Sequence, residues 1–343
     1  MKGENLRGHI FKIHSDFYYT NTEKGVFECK IRDILKKRKD QIFVGDYVEL
    51  EQINTDSKQA FISRVLPREN FIPRPKVANI NQVIIVSAIK EPDLDFEQLN
   101  RYLSFCEYYD LHPVLCFNKN DLEGEEEIIA NIKSIYEPLN YKIIFTSALE
   151  GNNIDEFKKL LAGKITVLCG SSGVGKSSLI NAIKPGLNIK TKSVSEKTER
   201  GTHTTRHCEI IELDKKDNSQ IVDTPGFSQL RFDFLMPAKV TELFREFVTI
   251  EEEYGQCKFS DCLHETETGC VIKEHMERIA PSRYESYLQF VKEAKEYKKL
   301  VTYSGKKIES KSKIVHNKQI TKISSKKRAV SRRVSNQNID KEE

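Results

Sequence analysis

The order of four short loops restricts the fold of this chain more than any other feature of its sequence. Asn118-Lys119-Asn120-Asp121 and Ser147-Ala148 come first, Gly170-Ser171-Ser172-Gly173-Val174-Gly175-Lys176-Ser177 follows, and Asp223-Thr224-Pro225-Gly226 comes after that. These are the loops of a guanine-nucleotide domain, whose expected order begins with the phosphate loop and ends with the base-reading loop. Here the whole set is present after one cyclic shift. A chance match would not reproduce such a set, so the rotation implies a circularly permuted GTPase domain. The rotation costs little, because each loop lies at the carboxyl end of a strand and that edge is assembled in space wherever the chain is cut.

Each loop carries its own chemistry. In ITVLCGSSGVGKSS a strand runs into a glycine-rich turn and then an amphipathic helix. Glycines there let successive backbone N–H groups wrap a phosphate at a helix N-terminus, where the macrodipole favours anions. Lys176 is expected to reach the β- and γ-phosphates, and the Ser177 hydroxyl to ligate Mg²⁺. Asp223 is placed to hold Mg²⁺ through water, and the Gly226 N–H to contact the γ-phosphate, which makes that loop a sensor of hydrolysis. Guanine follows from Asp121, whose carboxylate accepts both the N1–H and the N2–H of that base; adenine offers neither donor. Asn118 should contact the opposite edge or the neighbouring loop, the Lys119 stem should cover the base face, and Ser147 with the Ala148 N–H should complete the O6 side. The candidate GTP-binding set is Asn118, Lys119, Asp121, Ser147, Ala148, Gly170, Ser171, Ser172, Gly173, Val174, Gly175, Lys176, Ser177, Ser178 and Gly226.

Catalysis departs from the familiar switch GTPase. Phe227 follows the DTPG loop where a water-orienting Gln often sits, and a phenyl ring cannot hydrogen-bond water, so slow intrinsic turnover is expected. The run Gly201-Thr202-His203-Thr204-Thr205 offers a replacement. Thr204 or Thr205 can bind Mg²⁺ and the γ-phosphate, and His203 can orient the attacking water or take its proton. The competing reading of His203 is a solvent-exposed or packing side chain. The candidate catalytic residues are His203 and Lys176.

The rest of the chain divides into recognisable rhythms. Residues 1–72 carry five strand-like runs (7–13, 17–20, 26–32, 47–52 and 60–66) separated by turn residues, which fits a small OB-type β-barrel. After the proline-punctuated joint PRENFIPRP, near-continuous apolar runs alternate with helical patterns over 73–235, as in a doubly wound parallel sheet. Residues 236–302 are mainly helical, with Val240, Leu243, Phe244 and Phe247 on one stripe and a helix from Pro281 to about Leu300. Between these, Cys257, Cys262, His264 and Cys270 supply three thiolates and an imidazole, a set suited to one closed, structural tetrahedral Zn²⁺. The other five cysteines read as buried reduced thiols.

The formal charge of +4 conceals an asymmetry. From Thr302 onward twelve Lys or Arg stand against four Asp or Glu, so that stretch carries about +8 and the body before it about −4. Residues 303–343 are therefore expected to be a disordered basic tail, able to contact phosphates without reading sequence or to remain a solvated appendage. No signal peptide is visible, and no apolar run approaches the roughly 18 residues of a membrane span, so a cytoplasmic monomer without membrane contact is expected.

Taken together, PRENFIPRP, VANINQVIIV, NKND, SALEG, GSSGVGKSSLIN, GTHTT, DTPGF and the cysteine-histidine loop closely resemble the RsgA (YjeQ) family over about residues 1–300. That resemblance implies an OB-fold domain, a permuted GTPase domain and a zinc-binding domain. It also implies GTP hydrolysis stimulated by the small ribosomal subunit, binding to that subunit and its rRNA, and action late in its maturation. By the same likeness Thr205 is favoured as the switch Mg²⁺ ligand and His203 as the catalytic candidate. Arg206, which replaces a frequent third Thr, leaves the choice between Thr204 and Thr205 open, and the basic tail is not a family hallmark. The alternative from another class is a regulatory GTP switch that binds a protein partner and uses the barrel as scaffold.

Overall fold

The computed structural model describes residues 6–32, 41–73, 75–121, 126–185, 208–223, 232, 234–303, 312–315 and 318–321. The chain opens with β1 (Leu6–His14), β2 (Phe17–Thr22), β3 (Gly25–Ile31), β4 (Tyr47–Asn54) and β5 (Gln59–Val65). They run in the order β1-β2-β3-β5-β4, and β4 pairs back on β1 from Leu6↔Leu50 to His9↔Tyr47, which closes a five-stranded barrel. Period-two alternation fills it: Val48 and Leu50 of β4 point inward with Ile10, Phe27 and Ile62, while Tyr47 is exposed.

The proline-rich joint is structured. β6 (Phe71–Pro73) and β7 (Lys76–Ala78) form a short antiparallel hairpin, with Ile72 and Val77 buried in the central core. Gly45 supports it from the barrel side, since at φ 89° a Cβ there would lie 2.0 Å from the Ala78 carbonyl oxygen.

Six strands build the next sheet: β8 (Gln82–Ala88), β9 (Pro113–Asn118), β10 (Lys142–Thr146), β11 (Ile165–Cys169), β12 (Glu209–Asp214) and β13 (Ser219–Asp223). Between them lie helices α1 (Phe96–Tyr108), α2 (Glu126–Tyr136), α3 (Ile154–Leu161) and α4 (Lys176–Ile183). The strand order is β10-β9-β8-β11-β13-β12, all parallel except β12, which runs antiparallel to β13. Counting from β11 through β13 and then from β8 to β10, the spatial order becomes 2-3-1-4-5-6. The phosphate-loop strand β11 thus sits at the topological switch point although it is fourth in the chain. Strand β12 is not evident in the sequence, because its acidic residues Glu209, Glu212 and Asp214 interrupt the apolar run. It is nevertheless the seam to the barrel: Lys12 of β1 pairs with Glu209, and the two sheets become one of eleven strands.

Beyond Phe232 the chain is helical. The apolar stripe expected from Val240 to Phe247 is not one helix; two 3₁₀ turns (Pro237–Lys239 and Thr241–Leu243) precede α5 (Arg245–Tyr254), because Phe244 is extended at φ −117°, ψ 107°. All four stripe residues are still buried, in a cluster with Tyr287 and Phe290 of the long helix α7 (Pro281–Tyr303). A short α6 (Val271–Glu274) lies between α5 and α7. Among the described residues of the tail, β14 (Ser312–Val315) and β15 (Lys318–Thr321) pair as an antiparallel hairpin. Ile314 and Ile320 give those runs enough strand character to pair, whereas the composition of the tail as a whole argues against it.

Candidate nucleotide and metal sites

The base-reading loop, the SALEG turn and the phosphate loop, separated in sequence, converge at the carboxyl edge of the parallel sheet, and Asn118 is the bolt that joins them. Nearly fully buried at the end of β9, its amide donates to the Val174 carbonyl of the phosphate loop at 3.0 Å. Its Oδ1 accepts from the Ala148 N–H at 3.1 Å and from Thr146 Oγ1 at 3.2 Å. Asn118 therefore contacts the neighbouring loops, and the Ala148 N–H expected beside the base is engaged by it. The close approach explains Gly175: at φ 93° a Cβ there would fall 2.2 Å from Asn118 Nδ2. Gly170, at φ 140°, is likewise required, since a Cβ would meet the Val86 carbonyl oxygen of β8 at 2.0 Å.

Lys176, the first residue of α4, folds back on its own loop and donates to the Gly170 and Ser171 carbonyls at 2.8 and 2.6 Å. Burial lowers its pKa. Ser177 follows, half-buried, while Ser172, Gly173 and Ser178 are exposed at the open side of the loop. Asp223 closes β13, which pairs with the phosphate-loop strand through Val167↔Val222.

On the base side, Asp121 Oδ1 and Asn120 Oδ1 are buried and lack a hydrogen-bond partner among the described residues. A carboxylate oxygen in that condition suits the two adjacent N–H donors of a guanine edge. Lys119, in the left-handed region at φ 67°, donates its Nζ to the Glu91 carbonyl. Ser147 is fully buried, and its Oγ accepts from the Glu150 N–H at 3.0 Å, which shapes the SALEG turn. The Glu91–Pro92 loop and Thr146 escape sequence reasoning; only the chain end of β8 and a neighbouring strand hint at them. His203, Thr204, Thr205 and Gly226 lie outside the described residues.

The second constellation lies in the helical region. One donor atom from each of Cys257, Cys262, His264 and Cys270 falls within 4.8 Å of all the others. Cys257 Sγ is 3.8 Å from Cys270 Sγ, and His264 Nδ1 lies 3.6, 3.6 and 3.3 Å from Cys257, Cys262 and Cys270. A tetrahedral zinc with ordinary bond lengths has edges of about 3.8 Å between sulfurs and about 3.6 Å from sulfur to nitrogen, so the set fits that ion. The far side of the imidazole is also fixed. His264 Nε2 lies 3.1 Å from Thr241 Oγ1, Thr241 Oγ1 lies 3.3 Å from the Tyr287 hydroxyl, and that hydroxyl donates to the Leu263 carbonyl at 2.9 Å. Such an outer partner fixes the ring so that Nδ1 faces the three cysteine sulfurs, the orientation a metal ligand requires. Burial lowers the His264 pKa, which favours the neutral imidazole. Glu267 braces the loop: its carboxylate accepts from the Leu263, Glu265 and Thr266 N–H groups, and against the opposing effect of burial these bonds hold its pKa at about 2. His275 takes no part; it stacks on Tyr254 with ring centroids 3.8 Å apart.

A phosphate loop on the central strand of a 2-3-1-4-5-6 sheet, bolted to a guanine-reading loop that precedes it in the chain, defines a circularly permuted GTPase, an enzyme that hydrolyses GTP with Mg²⁺. Comparison with known proteins gives the family. The chain matches the RsgA N-terminal domain over residues 7–62 and the RsgA GTPase over 65–233, and a third family description, 50S ribosome-binding GTPase, matches from the phosphate-loop strand onward over 165–318. It is 40% identical over 291 residues to the small ribosomal subunit biogenesis GTPase RsgA of Alkaliphilus metalliredigens, covering 84% of this chain and 98% of that one. The RsgA of Caldanaerobacter subterraneus is also 40% identical, over 300 residues. The solved structure of YjeQ from Thermotoga maritima is similar with a TM-score of 0.72 at 35% identity, over 84% of this chain and 98% of that one. YloQ, described as a circularly permuted GTPase, gives 0.70 at 29% identity, over 86% and 97%. The chain belongs to the RsgA GTPase family.

Proposed function

We propose that this GTPase binds the small ribosomal subunit, is stimulated by it, and acts late in the maturation of that subunit. The observation that carries the reading is the match to relatives named for small-subunit biogenesis over 98% of their length, so that barrel, GTPase core and cysteine-histidine domain are shared as one unit. Asp121 reads the guanine edge, Asn118 holds the base-reading and phosphate loops in register, and Ser147 with Ala148 borders O6. The phosphate-loop amides from Gly170 to Ser178 cradle the phosphates, joined by Lys176 once it leaves its own loop carbonyls. Ser177, Asp223 and Thr205 would hold Mg²⁺, which neutralises charge developing on the transferred phosphate. Cys257, Cys262, His264 and Cys270 would hold one structural Zn²⁺. The body of the chain is net negative, so rRNA contacts belong to local patches of the barrel and zinc domain and to the basic tail.

In the sequence Phe227 stands where a water-orienting amide often sits, and the reading assigns that role to His203. Turnover measured with and without purified small subunits tests it: strong stimulation is expected, with salt-sensitive binding in the GTP state, and an unchanged rate would overturn the proposal. A His203→Ala variant should keep GTP affinity and subunit binding yet lose about 10²- to 10⁴-fold of the stimulated rate, as expected for a group acting in the transition state. If it were stimulated as strongly as the unmodified enzyme, the subunit would have to supply the catalytic group.

A further inference from the structure

The period-two alternation that fills the barrel also decides what it turns outward. On β5, Phe61 stands between Ala60 and Ile62, which are both buried, and is itself 36% exposed. On β3, Lys30 follows the buried Cys29 and is exposed; on β2, the half-buried Phe17 precedes Tyr18, whose ring packs on the barrel core. The ladder sets these three outward residues on one line across the sheet. Lys30 is the register partner of Phe61, and on its other side its Nζ lies 5.1 Å from the centre of the Phe17 ring. Neighbouring strands are about 4.8 Å apart, so the two phenylalanines stand about 10 Å apart at the backbone with the lysine between them. The barrel core is complete without them, closed by Ile10, Phe27, Leu50 and Ile62.

The carboxylates that adjoin the row are already engaged. Glu28 accepts from the Tyr19 hydroxyl at 3.2 Å, and Glu51 pairs with Arg32. Lys30 forms no ion pair among the described residues, so its ammonium rests on a ring, a weak hold that a phosphate displaces. In a body that is net negative, a cation flanked by two aromatic rings is a local exception. It is the chemistry of unpaired nucleic acid: bases of any identity stack on the rings, and the cation takes the phosphate. A duplex could use only the cation, because its bases are stacked on one another. The sequence adds charge of the same sign, since Lys36-Lys37-Arg38-Lys39, four residues beyond Arg32, is the longest unbroken basic run in the chain. That run lies outside the described residues, and the row does not include it.

We propose that the outward row Phe17, Lys30 and Phe61 of the barrel docks an unpaired stretch of small-subunit rRNA, one base on each ring and the phosphate between them on Lys30. This rests on the small-subunit reading above, to which it adds the face of the barrel and the form of the RNA.

The test uses the full chain and two probes, a fluorescein-labelled unstructured RNA strand of about twelve nucleotides and purified small subunits. Excess duplex RNA is present with the strand, to occupy contacts made by charge alone, those of the basic tail included. Phe17→Leu/Phe61→Leu keeps apolar bulk but no ring, and should weaken strand binding about ten- to a hundredfold; Phe17→Tyr/Phe61→Tyr keeps the rings and should bind within about twofold of the unmodified chain. Lys30→Ala should lower the slope of log affinity against log salt by about 0.7, the share of one phosphate on a single strand. Iodouracil placed in the strand should photocrosslink to Phe17 or Phe61. Guanine-nucleotide affinity and basal turnover should not change in any of these variants, which shows that each is folded. Unchanged strand affinity in the leucine pair, or an equal loss in the tyrosine pair, would overturn the proposal. So would loss of subunit binding in the leucine pair with normal strand binding, which would give the face to a ribosomal protein. Failure of the unmodified chain to bind subunits would overturn the ribosomal reading instead, and the strand measurements would still decide whether the row stacks RNA.

Discussion

Asp121 shows how much a single side chain can decide. Its Oδ1 is buried without a partner among the described residues, a condition that costs about 1–3 kcal/mol for a polar group and is relieved by a ligand with donors at the right place. Guanine has two such donors; xanthine has a carbonyl where guanine carries its amino group. Asp121→Asn should therefore shift preference from GTP toward XTP, because the new amide can donate to that carbonyl. A nucleotide competition in which the GTP-to-XTP ratio does not move would refute the base-reading assignment. Asn118 acts at the same scale but on protein rather than ligand. Its three hydrogen bonds span β9, the phosphate loop and the SALEG turn, so its role is to hold loops in register.

At the scale of elements, the loop between α5 and α6 is the one that burial alone does not explain. Twelve residues separate Cys257 from Cys270, and between them Cys262 and His264 are buried while the rest is exposed or half-exposed. A loop of that kind would be folded by the proposed Zn²⁺ together with its backbone hydrogen bonds. One zinc per chain is expected by elemental analysis. A Cys257→Ser/Cys262→Ser variant should lose it, with destabilisation confined to the region after Phe232; full zinc occupancy in that variant would remove the site from these residues. Glu267→Ala removes the acceptor for three backbone N–H groups. It should speed zinc loss to a chelator while leaving all four ligands in place, and an unchanged rate would mean that the ion alone shapes the loop.

Across the whole molecule, the helical domain is held on the GTPase core by a buried polar network as well as by apolar packing. Arg283 of α7, with no exposed surface, makes two hydrogen bonds to Glu246 of α5, at 2.7 and 2.9 Å. Its third goes to Asn100 of α1 at 3.0 Å, and the same Asn100 oxygen accepts from the Tyr136 hydroxyl of α2 at 2.8 Å. Burial alone would lower the Arg283 pKa, but the Glu246 charge outweighs it and the pKa is raised. Glu246→Leu should cost about 3–5 kcal/mol in chemical denaturation, because it strands a buried guanidinium, and the double variant Glu246→Leu/Arg283→Met should recover much of that loss. Equal destabilisation in single and double variants would show that packing shape, not charge pairing, sets the cost. On the other flank the barrel is joined through Lys12 and Glu209, an ion pair at 2.9 Å with both partners over one-third exposed, which contributes little energy and serves mainly to set register.

The sequence by itself determined the permuted order of the nucleotide loops, the five-stranded barrel and the four-residue metal set. Each of these rests on local chemistry: turn glycines before a helix, period-two alternation, or donor types at short spacing. The tertiary structure decided what depends on long-range approach. It showed that Gly175 is demanded by Asn118, that the proline joint is a buried hairpin, that β12 is a strand despite its acidic residues, and that the stripe from Val240 to Phe247 is broken at Phe244. It also brought Arg101, Glu293 and Phe232 together, residues that no motif in the sequence singles out. Local propensity and motif chemistry are carried by neighbours in the chain, whereas a buried ion pair, a seam or a steric demand on a glycine exists only once distant segments occupy the same few ångströms, and no spacing along the chain records that.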